Sequence, residues 1–479
     1  MLLALVLAPA CRHEKTAQGR SLPAGDAVWL SEGLGEDPAA TDEVLARGGL
    51  ARVFLPAVHV RREAGAWKAA GIPLPARPAA APPVVLVVEA DADSAAISVG
   101  AEDAAAAAIA EGLKGVLAKG GTTGRIEGVH LDLPLEEATA ESFGRVATRV
   151  RSLLPSPLFL TCSLRFSPTP KKRDEVLKSL AAIDGFVAFV FGVGALTDPM
   201  TADSLGKPWW AGYVPGATAV WSDSAGNPRG RLSEKYLRAL TDDSRVPLGH
   251  DLVLQQEGAE GFLFRPPVSV DVAGVRLSAG DQVAFRQPLV SDLLQRLGSD
   301  LVGRKLLRGR LVVLDGRSDS ERIFTLAALS DVLLGRPLLP DLRVEFAADA
   351  TGLRVSAENR SAHSSIVSHT ANWVEVDVPS GHIRDVQPGG FDRYEVFDAD
   401  GRPVTPGRAT RVRLYETLVA PQEKIEAATI LLWGRPAEGC CRFRQHVLAS
   451  SGPEVAGDWT APPAPPTPPP KSRAKPKRR

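Results

Sequence analysis

Short apolar runs alternate with stretches of helical spacing from residue 27 onward. Strands at 27–32, 51–60 and 83–90 are each followed by polar or helical sequence. A helix over 39–47 is stopped by Gly48-Gly49, and an Ala-rich helix over 101–119 by Gly120-Gly121. Residues 67–77 read as a short helix leading into a Pro-rich connection. The run Gly128-Val129-His130-Leu131-Asp132 alternates at a period of two, as a strand buried on one face does, and ends on a carboxylate. A helix over 136–154, a strand over 157–164, a helix over 170–182 and a strand over 185–192 continue the order. For the seventh strand, 217–222 competes with 209–214; residues 310–315 make the eighth, followed by a helix over 319–334. Eight strand–helix units over about 300 residues predict a TIM-like (β/α)8 barrel, an α/β fold, spanning 25–336. Short strands with Gly turns between 252 and 290 read as a β insertion.

Past Pro337 to Pro340 the period changes to two. Strands near 342–346, 353–358, 373–378, 393–397, 409–415 and 428–433 predict a β-sandwich over 341–456. The last stretch, 457–479, is Pro-rich and then Lys/Arg-rich; it cannot bury a core and is expected to be disordered.

Composition changes this picture little. The chain has 479 residues, 44% of them hydrophobic and 23% charged, which fits a folded globular protein. Lys+Arg and Asp+Glu number 56 each, so no global field draws nucleic acid, and none is expected as a partner. Four cysteines in this length make no disulfide framework. Cys162 lies in an apolar strand as an inert thiol, and the adjacent Cys440 and Cys441 are poorly placed to bridge each other. At the N-terminus the apolar run before Cys11, ending Leu7-Ala8-Pro9-Ala10, resembles a bacterial lipoprotein box. It departs in having Pro9 and no basic residue ahead of the apolar core. The expectation is a signal segment and tether over 1–24, lipidation at Cys11, and an envelope protein held at the membrane in the periplasm or outer membrane.

No phosphate loop, dinucleotide fingerprint, zinc-protease motif, nucleophile elbow or paired CxxC occurs, and the eight histidines lack ligand spacing. Neither a metal nor a cofactor is expected. What remains is a set of polar side chains at strand C-termini, where a barrel gathers its active site. Asp132, Glu32 and Glu89 are the candidate catalytic carboxylates, and His59, Asp91, His130, Arg165 and Asp315 candidate ligand contacts. Two carboxylates about 5 to 9 Å apart suffice for glycoside chemistry. Trp209, Trp210 and Trp221 are candidate stacking platforms for sugar rings.

The stretch Glu127-Gly128-Val129-His130-Leu131-Asp132-Leu133-Pro134, with its helix and the PLFLTCSL strand after it, resembles the signature of chitinase-type glycosidases. Glu127 and Asp132 fall on that family's acid positions. His130 replaces another acid, and Pro134 stands where the proton-donating Glu belongs, so the resemblance implies that family's mechanism only if Glu136 or another acid substitutes. The same strand, with the late RLVVLD strand, is similar to an uncharacterised bacterial family of the glycosidase barrel class, over residues 25–336. The resemblance implies a barrel that binds a carbohydrate or a peptidoglycan-type glycan with weak or lost catalysis. The alternatives are an active glycoside hydrolase using strand-end carboxylates, and a non-enzymatic envelope scaffold.

Overall fold

The computed structural model describes residues 22–461 apart from 65, 91–96, 98, 119–124, 156, 193–195, 244, 249–258, 300–302, 317–320, 349–351, 380–381 and 435–440. Cys11 and its surrounding box, Asp91, Cys440 and the basic tail lie outside the described residues. Among those described, no helix is long and apolar enough to cross a membrane.

The first half runs β1 (Ala27–Leu30), α1 (Pro38–Arg47), β2 (Arg52–Glu63), β3 (Ala66–Gly71), β4 (Val84–Ala90), α2 (Glu102–Ala118), β5 (Ile126–Asp132) and α3 (Ala140–Leu153). It continues through β6 (Phe159–Leu164), α4 (Arg173–Ser179), β7 (Gly185–Phe191), α5 (Pro199–Ser204) and β8 (Trp209–Tyr213). An inserted segment carries β9 (Thr218–Ser222), β10 (Pro228–Leu232), α6 (Glu234–Thr241), β11 (Ala259–Phe264), β12 (Val270–Val272), β13 (Val275–Leu277) and β14 (Gln282–Pro288). Helix α7 (Val290–Ser299) returns the chain to β15 (Leu307–Leu314), and α8 (Leu326–Leu333) ends this half.

Strands β1, β2, β4 to β8 and β15 pair in parallel, and β1 bonds to both β2 and β15, so the sheet closes into the expected eight-stranded barrel. Alternation along each strand splits the apolar side chains into two sets. Trp29, Phe54, Val87, Phe159, Phe189 and Trp210 fill the barrel interior. Val28, Leu55, Leu86, Leu131, Cys162 and Ala188 face outward, where the helices cover them. The interior is tight. A Cβ on Gly128 would stand 2.3 Å from the Phe159 ring, so the strand that carries Asp132 needs a glycine at its base.

The structure departs from expectation in three places. Residues 66–71 form β3, an antiparallel extension of β2, rather than a helix: the chain turns at Ala64, whose φ is +48°, and exposure then alternates. Residues 209–213, not 217–222, make the seventh barrel strand, because every residue of β8 is buried, as a strand covered on both faces requires. Strand β9, by contrast, joins β10, β14 and β11 in an antiparallel sheet, so the insertion begins near Thr218 instead of 252.

The C-terminal region is a two-sheet sandwich, with nine strands among the described residues. One sheet has the order β16 (Leu342–Ala348), β17 (Gly352–Asn359), β22 (Lys424–Leu432) and β19 (Ile383–Gln387). The other has β20 (Arg393–Phe397), β21 (Arg411–Tyr415), β18 (Trp373–Asp377), β23 (Arg442–Leu448) and β24 (Glu454–Ala456). Both contribute to one apolar core. Val367, Leu418 and Ala420 pack with Phe264 and Phe285 of the insertion, and the His363 ring bridges the Leu339 carbonyl and Asp331. At this junction burial pushes the Glu423 carboxyl up to about 7, with Asp242 and Asp392 adding to the shift. Burial, with Asp392 adding to it, also raises the Glu416 carboxyl well above the usual carboxylate range.

Gly128→Ala is expected to lower stability by roughly 1–3 kcal/mol, the usual cost of forcing extra volume into a packed interior. Denaturant unfolding measures it, and an unchanged midpoint would refute the tight packing against Phe159.

Candidate active site at the barrel mouth

Parallel register brings the carboxylates together. Glu89, next to last in β4, lies directly beside Asp132 at the end of β5, and cross-strand partners point to the same side of a sheet. Inward-facing Val85 and Val87 precede Glu89, and inward-facing His130 precedes Asp132, so both acids crown the barrel interior. On the opposite wall, just past β15, Asp315 accepts a 2.7 Å hydrogen bond from the Ser31 hydroxyl. His59 lies in register with Glu89 on its other side.

A polar chain fixes Asp132. The His130 ring is fully buried, with Nδ1 3.0 Å from the Thr161 hydroxyl and Nε2 3.0 Å from that of Ser163. The Ser163 hydroxyl donates to Asp132 Oδ1. Arg165 reaches both oxygens of Asp132, at 3.2 and 3.4 Å, and lies 3.9 Å over the Phe189 ring. Burial lowers the His130 pKa to about 4; Asp132 opposes the shift and Arg165 adds to it. At neutral pH the ring is therefore uncharged, with one nitrogen donating and the other accepting.

Glu89 is tuned the other way. Burial first, then the charge of Asp132, and to a smaller extent that of Asp315, push its carboxyl up to about 7, against a pull from the Trp29 indole. A carboxylic acid that keeps its proton near neutrality thus adjoins a carboxylate paired with a guanidinium. A buried acid with a raised pKa beside an ion-paired carboxylate is an arrangement that suits a proton donor. A second buried acid lies behind the mouth. Glu234, at the start of α6, accepts from the Ile323 and Phe324 backbone N–H groups at 2.8 and 3.2 Å, and burial raises it to about 7.

Asp132, Glu89, Arg165 and Asp315 therefore meet at one end of the barrel, with His59 beside them. Other candidates fall elsewhere. The mouth contact of β1 is Ser31, whereas Glu32 turns toward α6 and lies 3.6 Å from Lys235. His130 is buried beneath the rim, both ring nitrogens bonded to Thr161 and Ser163, so it positions Ser163. Trp209 is buried on the outer side of β8, its N–H bonded to Asp203 at 2.9 Å, and Trp210 is sealed inside the barrel under Arg52. Neither can be a stacking platform, since a platform needs an open ring face. Trp221 belongs to the insertion, packed against its core and bonded to Asp281 at 3.0 Å. Glu127 sits at the opposite end of the barrel, paired with Arg125 and Arg52. Sequence reasoning missed Ser31, Ser163 and Glu234. The alternation Thr161, Ser163, Arg165 did signal a polar inward face, whereas nothing in the sequence marked Glu234. Among the described residues no group of His, Cys, Asp or Glu could hold a metal ion.

No protein-family model and no curated protein matches the chain. Among solved structures it is similar to a chitinase from Chromobacterium violaceum, 15% identical with a TM-score of 0.36, over 66% of this chain and all of that one. It is also similar to a GH30 endoxylanase from Clostridium papyrosolvens, 9% identical with a TM-score of 0.31, over 87% of this chain and 97% of that one. Likeness at this level decides nothing about chemistry, and the functional reading rests on the residues above.

The Glu89 carboxyl should lose its proton around pH 7, seen as loss of a protonated-carboxyl infrared band that Glu89→Gln lacks. Asp132→Asn removes the neighbouring charge and should move that midpoint down. Because its folded pKa lies above its unfolded one, Glu89 adds stability that is complete below about pH 4.5 and lost as pH rises through about 7. His130 acts oppositely: its contribution is complete above about pH 6.5 and lost as pH falls through about 4. An unshifted Glu89 midpoint in Asp132→Asn would rule out the coupling.

Proposed function

We propose that the barrel mouth binds a carbohydrate and hydrolyses its glycosidic bond. Glu89 gives its proton to the leaving oxygen as the C–O bond breaks, Asp132 faces the positive charge that develops at the anomeric carbon, and a water adds to that carbon and returns its proton to the Glu89 carboxylate. The observation that carries the reading is the adjacent pair of Glu89, whose burial favours the protonated form, and Asp132, which is ion-paired with Arg165. Ser31, Arg165 and Asp315 supply the hydroxyl-directed hydrogen bonds that a polyhydroxylated ligand needs. Pro134 is no obstacle here, because the acid comes from β4 and not from the end of β5.

A second reading, binding without turnover, is favoured by one observation: both oxygens of Asp132 are already engaged by Arg165, and Oδ1 by Ser163 as well. A panel of neutral and cell-wall glycans separates the two. Reducing-sugar release that declines as pH rises through about 7, and falls at least a hundredfold in Glu89→Gln, is the expected result. Retention of a glycan without any release selects the second reading. Failure to retain or cleave any of them removes both.

The tether at Cys11 belongs to the same proposal, as it would place the barrel among envelope glycans. Cys11→Ser should move the protein from the membrane fraction to the soluble one. Persistent membrane association would exclude lipidation at that residue.

A further inference from the structure

The insertion carries a second site that the mouth chemistry does not use. Four of its strands form a sheet in the order β10-β9-β14-β11, with Ala219, Val283 and Phe285 turned into a core. The other face is open. Register places Arg231, Val220, Ala284 and Leu263 in one row across all four strands. Arg286 stands in the neighbouring row between Thr218 and Gly261, and Arg265 follows the end of β11 on the far side. Together they line a groove of about 880 Å³ with an apolar floor and three exposed guanidinium groups on its rim. Val220, in the middle of the floor, is 48% exposed. Arg229 nearby pairs with Asp223 at 3.2 Å, but no carboxylate lines the groove among the described residues.

Three arginines around a shallow apolar strip, with no carboxylate among the described lining residues, complement a ligand that carries carboxylates and C–H faces in alternation. With strands about 4.8 Å apart, the row from Arg231 to Leu263 spans about 14 Å, more than one sugar ring. An extended peptide gains its affinity for a sheet by bonding along a strand edge, and this groove runs over the face. Continuity points the same way. Leu232 and Ser233 line the groove, and the next two residues, Glu234 and Lys235, meet the barrel end just behind the mouth, at the Ile323 N–H and at Glu32.

We propose that this face binds an acidic glycan, a uronate-bearing polysaccharide held by Arg231, Arg265 and Arg286, as an extended subsite of the barrel mouth. The assignment of a glycan rests on the carbohydrate reading of the mouth. Guanidinium forks take carboxylates two oxygens at a time, and exposed pairs of this kind weaken with salt.

The test is binding of polygalacturonate by the full chain, compared with its fully methyl-esterified form and with poly-glutamate. The protein should bind polygalacturonate, with affinity falling as salt rises, and should bind the ester and poly-glutamate at least tenfold more weakly. The triple variant Arg231→Gln, Arg265→Gln, Arg286→Gln should lose at least tenfold in affinity while keeping the wild-type melting temperature. Single variants replace it if that temperature drops, and each should then lose affinity by itself. Equal binding of the ester, equal binding of poly-glutamate, no binding at all, or variants that bind as the wild type does would each overturn the proposal. Retention of polygalacturonate without turnover of any neutral glycan would leave the groove standing and the hydrolytic reading fallen; turnover without retention would do the reverse.

Discussion

The mouth depends on a hydrogen-bonded imidazole buried away from solvent. His130 is enclosed by Trp29, Phe54 and the barrel wall, with ring centroids 5.1 and 5.4 Å away. An unpaired polar nitrogen there would cost on the order of 1–3 kcal/mol. Thr161 and Ser163 satisfy both nitrogens, and in doing so fix the direction of the Ser163 hydroxyl group. That hydroxyl orients Asp132, and the charge of Asp132 helps to hold the proton on Glu89. A constraint set by packing is thus passed upward, one strand at a time, to the residues exposed to a ligand.

The barrel was largely legible because its signal is periodic. Val84 to Val88 are buried on both faces and read as a continuous apolar run, and Asp132 closes a strand of strict alternation. Closure is also what makes strand ends informative, since it gathers residues 89, 132 and 315 at one rim. Side chains next to those ends were less legible. Glu32 looked equivalent to Glu89, yet β1 ends at Leu30, and Ser31 takes the place at the rim. The tryptophans misled for a different reason. Their size and polar N–H suit ligand contact and core filling equally, and only depth in the fold separates the two roles. Glu234 carries no local signal, because the backbone N–H groups it meets lie far along the chain at Ile323 and Phe324.

The insertion ties the two halves of the chain together. Its inner face shares a core with residues of the sandwich, while α6 touches the barrel rim through Glu234 and Lys235. Acids buried at the sandwich junction, Glu416 and Glu423, favour their neutral forms. Alkaline conditions therefore load charge into the seam between sandwich and insertion at the same time as they ionise Glu89.

The antiparallel extension β3 has a cost of its own. A closed barrel leaves no strand with unpaired backbone, but β3 is paired on one side only and so returns an edge to the sheet. Such edges invite other strands. This one is six residues long, bears Lys68 paired with Glu63, and leans on α2 where Gly112 admits Val58 and Ala69 at close range. Among the described residues, the unpaired edge of the barrel sheet is this one short, charged, partly shielded ribbon.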